Sequence, residues 1–244
     1  MTVVVSAATT GPDPEVHEVV HFGAEICTDD FREVLGTFYA YVQAERPEAA
    51  QPGYLARAGF ASAEQLSERG EYYRPAPEVW SSFARTLLRY DAQHAVVSPA
   101  PSPSTRALWA ERGVGAGGAD LPTVLARTRV ACFNAPLEAP FLGASMRRNG
   151  FEVDFEQVRQ TTGLCGLMLD YTTGLRYIGF VREPSFDFEG ALAFFGVTCR
   201  RPTDPVYRAG AVRQAYAAHY SNLKAIYDSA AKWEGHSRRR RGSG

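Results

Sequence analysis

The stretch that most constrains this chain is its first dozen residues. Val3-Val4-Val5 is followed by Ser6-Ala7-Ala8 and then Thr9-Thr10-Gly11 before Pro12. Three β-branched residues, three small ones and a Thr-Thr-Gly turn spell a short buried strand that ends at a tight corner. A polar residue at the end of such a strand commonly marks the mouth of a site. Here Ser6 and Ala8 occupy those places, so the question is whether the missing chemistry carries meaning.

The remaining chain is long enough to wrap that strand. It has 244 residues and 45% apolar content, ample for a packed core. A formal net charge of -1 gives no global basic field. Lys224 and Lys232 are the only lysines, which leaves little scope for lysine-dependent covalent chemistry. Cys27, Cys132, Cys165 and Cys199 are far apart with no C-x-x-C pair, so neither a zinc site nor a disulfide framework is expected. They read as buried thiols in a reducing compartment. No apolar run reaches the length of a membrane span and the N-terminus does not resemble a signal peptide, so a cytoplasmic location without membrane contact is expected.

In chain order, Val16 to Ile26 reads as a second strand and Gly36 to Gln43 as a third, together an antiparallel meander. His17 and His21 lie on the second strand with no carboxylate at ligand spacing, so metal binding there is not expected. Pro52 to Gly70 holds two short helical pieces. Pro77 to Tyr90 is a firmer helix, with Val79, Trp80, Phe83, Leu87 and Leu88 on one face. Ser98 to Asp120 is Pro/Gly-rich; its RGVGAGG run from Arg112 lacks the strand before it that a phosphate loop needs, and reads as surface loop. Thr128 to Phe133 is a strand ending at Asn134. A helix over Glu138–Asn149 follows, closed by Gly150. Leu164 to Asp170 is an apolar segment, Phe186 to Phe195 a short helix stopped by Gly196, and Pro205 to Trp233 the longest helix. Residues 236–244, with Arg238 to Arg241, read as a basic, disordered tail.

Three segments then line up with one family. Val3 to Gly11, leading into Glu18 to Ile26, resembles the first motif of DEDD-type 3′–5′ exonucleases, a strand bearing Asp-x-Glu-Thr-Thr-Gly. Arg129 to Leu142 (RVACFNAPLEAPFL) looks like the second, a strand ending in His-Asn-Ala-x-Phe-Asp before a helix. Phe195 to Ala217 resembles the third, where His-x-Ala-x-x-Asp opens the last helix. Ala58-Gly59-Phe60 with Glu64, and Met168 to Tyr171, sit where the family has a Gly-Ile turn and an apolar strand ending in Asp-Thr. The resemblance covers residues 2 to 233. It implies a single ribonuclease-H-like α/β domain over residues 1–235, a mixed sheet with helices on both faces, and 98–120 as an inserted loop.

The family's chemistry is two-metal phosphodiester hydrolysis, with four carboxylates holding two cations and, in one subclass, a His as general base. Matched residue by residue, this chain has Ser6 for the first Asp, Ala8 for the Glu, Glu138 for the second Asp, Tyr207 for the His and Val212 for the last Asp. The tyrosine subclass needs an Asp four residues after its Tyr, and here that residue is Ala211. Only Glu138 remains a carboxylate. A hard divalent cation needs several oxygen ligands, so no metal cofactor is expected, and Mg²⁺ or Mn²⁺ enters only if the site is active.

The resemblance also implies nucleic-acid contact at Thr9, Thr10, Gly11 and Asn134, with Arg208 and Arg213 flanking the former third motif. Three readings stay open: a catalytically degenerate exonuclease-like protein that binds DNA or RNA, an interaction module using the same fold with a protein partner, and an active exonuclease with unusual ligands. Tyr72, Tyr73 and Trp109 are the aromatics that would serve a protein partner.

Overall fold

Residues Thr2–Thr9 form strand β1, buried without a break from Thr2 to Ser6. A strand covered on both faces belongs inside a sheet, and β1 lies there. A computed structural model describes residues 1–67, 72–94, 124, 128–151, 161–168 and 187–241, with the backbone alone for 92–94 and 226–241. β2 is Val19–Cys27, β3 Val34–Val42, β4 Tyr73–Arg74, β5 Arg129–Cys132 and β6 Thr161–Gly163. They form one six-stranded mixed sheet in the order β4-β3-β2-β1-β5-β6. β1, β2 and β3 pair antiparallel, while β5 joins β1 and β6 joins β5 in parallel.

Helices cover both faces, as the resemblance implies. On one side α3 (Ala76–His94) and α4 (Ala135–Arg148) pack Trp80, Phe83, Phe141 and Met146 against Val3, Val5 and Phe22. On the other, α5 (Phe188–Phe194) and α6 (Pro205–Arg241) pack Leu192, Val212 and Tyr216 against Val4 and Ala131. Alternate valines of β1 thus serve two cores, each burial stabilising by about 1.5–3 kcal/mol. A third cluster, Val20, Leu55, Phe60 and Leu66, lies under α1 (Pro52–Ala58) and α2 (Glu64–Ser67).

Several element boundaries move. β2 starts at Val19 because the Asp13 carbonyl captures the N–H groups of Val16 and His17 in a turn. α4 starts at Ala135, before Glu138, since Pro136 is tolerated in a first turn. Residues 164–168 are helical and do not continue a strand: Leu164 and Met168, four apart, both enter the core at helical spacing. α6 runs on to Arg241, taking in part of the arginine-rich segment read as a disordered tail. Arginine is a good helix former, and after Gly235 no breaker interrupts the run. The 98–120 stretch, Trp109, Asp170 and residues 242–244 lie outside the described residues.

All four cysteines are free, Cys27 and Cys132 buried and the other two half-buried. Among the described residues no helix is long and apolar enough to cross a membrane.

What seats α6 on the sheet is missing side-chain volume. A Cβ on Gly23 would lie 2.5 Å from the backbone nitrogen of Val206, and one on Gly210 would lie 2.8 Å from Glu25 Oε1. The start of α6 therefore crosses β2 almost in backbone contact. That crossing places Arg208 over Ser6.

Candidate functional site

A cleft of about 370 Å³ opens where β1 and β5 end. Open α/β sheets take ligands at the carboxyl ends of their strands for a topological reason: the loops there diverge. Ala8 and Thr9 come from the end of β1, Asn134 and Glu138 from the start of α4, Tyr54 and Arg57 from α1, Phe188 from α5 and Arg208 from α6.

At its floor, Arg208 Nε donates to Ser6 Oγ at 3.2 Å, and Nη1 donates to the Pro202 carbonyl at 3.1 Å. The guanidinium carbon lies 4.0 Å from the centroid of the Phe188 ring. Stacking of this kind suits a weakly hydrated planar cation. Burial lowers the Arg208 pKa from its ordinary value, and the charge of Glu138 opposes that fall.

Glu138 is 7% exposed. Its Oε1 accepts from the Asn134 N–H at 3.3 Å, while Oε2 is buried with no partner. Burial raises its pKa to about 7, against the pull of the Arg208 charge and of the Asn134, Ala7 and Phe133 N–H groups. Asn134 caps α4 by backbone geometry only, and its side chain makes no capping bond.

The structure brings Ala8, Thr9, Asn134, Glu138 and Arg208 to one cleft, with Ser6 beneath it on Arg208. It separates the rest. Val212 is fully buried among Leu192, Ala209 and Tyr216. Tyr207 is 41% exposed under the Arg201 guanidinium, outside the cleft. Arg213 does not flank the cleft: its Nε donates to Glu25 Oε2 at 2.6 Å and its Nη1 to the Phe31 carbonyl at 2.8 Å. Thr10 is fully buried, its hydroxyl accepting from the Glu18 N–H at 2.9 Å. Gly11 lies under the His17 ring, where a Cβ would meet ring atoms at 2.2 Å. Thr10 and Gly11 thus build the corner, and of that triplet only Thr9 faces the cleft.

Tyr54, Arg57 and Phe188 were not singled out from the sequence. The signal for the first two was the spacing of three on a helix opened by Pro52, which stacks Arg57 over Tyr54 at 5.2 Å. Phe188 carried no signal, since its role depends on where Arg208 lies.

Among the described residues, the matched positions do not by themselves supply the ligands of two divalent cations. The matched positions supply one carboxylate and one hydroxyl, and the hydroxyl already holds a guanidinium. Among the described residues no three His, Cys, Asp or Glu side chains come together. A fixed positive charge would also repel an arriving cation.

No protein-family model matches the chain, and no curated protein matches it. Solved structures do. Zinc-bound E. coli exonuclease I in complex with single-stranded DNA aligns with TM-score 0.60 and 15% identity, over 93% of this chain and 42% of that one. The same enzyme with a dT13 oligonucleotide aligns at TM-score 0.60 and 13% identity, over 94% and 43%. A product-bound exonuclease I structure aligns at TM-score 0.59 and 13% identity, over 93% and 45%. The chain spans less than half the length of these proteins, and at such identities the likeness shows the fold: the ribonuclease-H-like mixed sheet of exonuclease I in a single domain.

Proposed function

We propose that this chain is a catalytically degenerate 3′–5′ exonuclease-like protein of the DEDD type, binding nucleic acid in the cleft without metal-dependent cleavage. One observation carries the reading: the cleft floor holds the Arg208 guanidinium on Ser6, with Glu138 the single carboxylate at the matched positions. Replacing carboxylates by a cation turns a floor that repels phosphate, unless metal is bound, into one that attracts it. Single-stranded DNA on E. coli exonuclease I supports the same ligand class. Thr9, Asn134 and Arg208 are the contacts the cleft offers, with Arg57 at its rim. The free cysteines support a reducing, cytoplasmic setting.

The test is fluorescence anisotropy with labelled single-stranded DNA and RNA in EDTA. Binding that weakens steeply with salt is expected; no binding at low salt overturns the reading. Degradation of the oligonucleotide in Mn²⁺ that disappears in Glu138→Ala overturns its degenerate half.

A second reading, an interaction module with a protein partner, is favoured by an apolar groove of about 560 Å³ between β6 and α6, where Tyr220 and Leu223 are exposed. Tyr72, 69% exposed, adds to the available apolar surface.

A further inference from the structure

We infer that Arg208 is a built-in cation that takes the electrostatic place of bound metal, so that the cleft receives one nucleotide unit, its phosphate on Arg208 and a sugar hydroxyl on Glu138. This rests on the nucleic-acid reading of the same cleft and goes further by naming the groups recognised.

Of the three nitrogens of Arg208, Nε is committed to Ser6 and Nη1 to Pro202. Nη2 has no acceptor among the described residues. Phe188 stacks on the guanidinium at 4.0 Å, so the edge left to a ligand is the one toward the cleft. A planar fork with one edge fixed from behind is pre-oriented for a phosphate oxygen.

Glu138 presents the complementary deficit: its Oε2 is buried and makes no hydrogen bond, although the Ala7 and Phe133 N–H groups also face the carboxyl. A buried polar atom left unpaired costs about 1–3 kcal/mol. The obvious remedy would be an ion pair between the two, yet none forms within 4.0 Å even though each feels the other's charge. A donor open to the cleft and a buried acceptor therefore stand apart on one floor. A ligand meeting both carries an anionic oxygen for Arg208 and a hydroxyl for Glu138, as a nucleotide does. Asn134, at the start of α4, lines the same cleft, and that helix dipole favours an anion there, whereas the start of α6 is already capped by Asp204, whose Oδ1 accepts from the Val206 N–H at 3.0 Å.

The same chemistry is offered by a free nucleotide and by the terminal residue of a strand, and the experiment separates them. A labelled oligothymidylate, thymidine 5′-monophosphate and thymidine are titrated by anisotropy and calorimetry, all in EDTA. The expected result is binding of the oligothymidylate, with thymidine at least about tenfold weaker than its monophosphate. Arg208→Gln removes the cation and is expected to weaken oligothymidylate about tenfold or more, with the salt slope falling by about one.

Arg208 also packs the floor, so a second variant guards against misfolding. Ser6→Asp keeps Arg208 in place and neutralises it with a carboxylate on Nε. It is expected to fold as wild type and to lose binding about tenfold or more. If Ser6→Asp and Arg208→Gln both bind oligothymidylate as wild type does, this inference falls and the nucleic-acid reading stands. If the monophosphate binds, sensitive to Ser6→Asp, while the oligothymidylate does not, the inference stands with a free nucleotide as ligand and the nucleic-acid reading falls. Oligothymidylate binding alone, with the same sensitivity, supports the inference with a strand end as ligand. If neither binds, both fall.

Discussion

Arg208 and Arg213 are five positions apart on one helix, and that spacing decides their different fates. At about 100° per residue they point roughly 140° apart, so one reaches the cleft and the other the flank of β2. Proximity in sequence to the matched segment pointed both at the ligand; helix phase brings only Arg208 to the cleft. Arg213 and Glu25 are each 14% exposed and form a nearly buried ion pair. Removing one partner strands the other's charge, so Arg213→Ala is expected to lower stability by about 3 kcal/mol in urea denaturation. Oligonucleotide affinity of the folded variant should not change, and a drop to match Arg208→Gln would return Arg213 to the interface. Thr10 and Gly11 teach the same lesson. A Thr-Thr-Gly corner reads identically whether it serves the fold or the ligand, because hydrogen bonds to Glu18 and the cover of His17 are invisible until the chain closes.

At the scale of elements, β1, β2 and β3 were legible because alternation and β-branched runs mark half-buried and buried strands directly. β6 was not: three residues, Thr161–Gly163, are too few for a period, and the helical 164–168 that follows reads as apolar run in either state. The seating of α6 was hidden as well, because a glycine in a strand pattern signals close approach without saying of what. Gly23→Ala puts a methyl 2.5 Å from the Val206 nitrogen, backbone that cannot swing aside. The expected cost is about 1–3 kcal/mol or more, with α6 displaced. Because α6 carries Arg208 over Ser6, oligonucleotide binding should weaken along with the thermal midpoint. Gly53 in α1 is the control, since nothing lies within 4 Å of its added Cβ. Gly53→Ala is expected to be neutral or stabilising by up to about 1 kcal/mol. Equal losses in both variants would refute the contact argument.

For the whole molecule, the sequence carried the order of the three segments that resemble the family's motifs and hence the sheet, and it carried the identities at the matched positions, of which Glu138 alone is a carboxylate. What forms the cleft floor was not legible, because Arg208, Phe188 and Ser6 meet only after three distant segments fold together. The same folding buries two titratable groups that pull stability in opposite directions. His21, 3% exposed and stacked on Tyr41 at 4.2 Å, has both ring nitrogens unpartnered. Burial lowers its pKa from 6.5 to about 4, against the charge of Asp204. The unfolded chain then binds the proton first as pH falls, so the His21 contribution is present above pH 6.5 and lost down to about pH 4. Glu138 does the reverse: with its pKa raised from 4.5 to about 7, its contribution is present below pH 4.5 and lost as pH rises through 7. His21→Phe keeps the stack and removes the first loss, so relative to wild type it should gain about 2 kcal/mol on going from pH 8 to pH 5. Glu138→Gln should gain about 2–3 kcal/mol in the opposite direction, from pH 5 to pH 8. Urea midpoints of wild type and both variants at the two pH values measure this directly. Differences that stay constant with pH would mean that neither group is held in the uncharged environment the fold gives it.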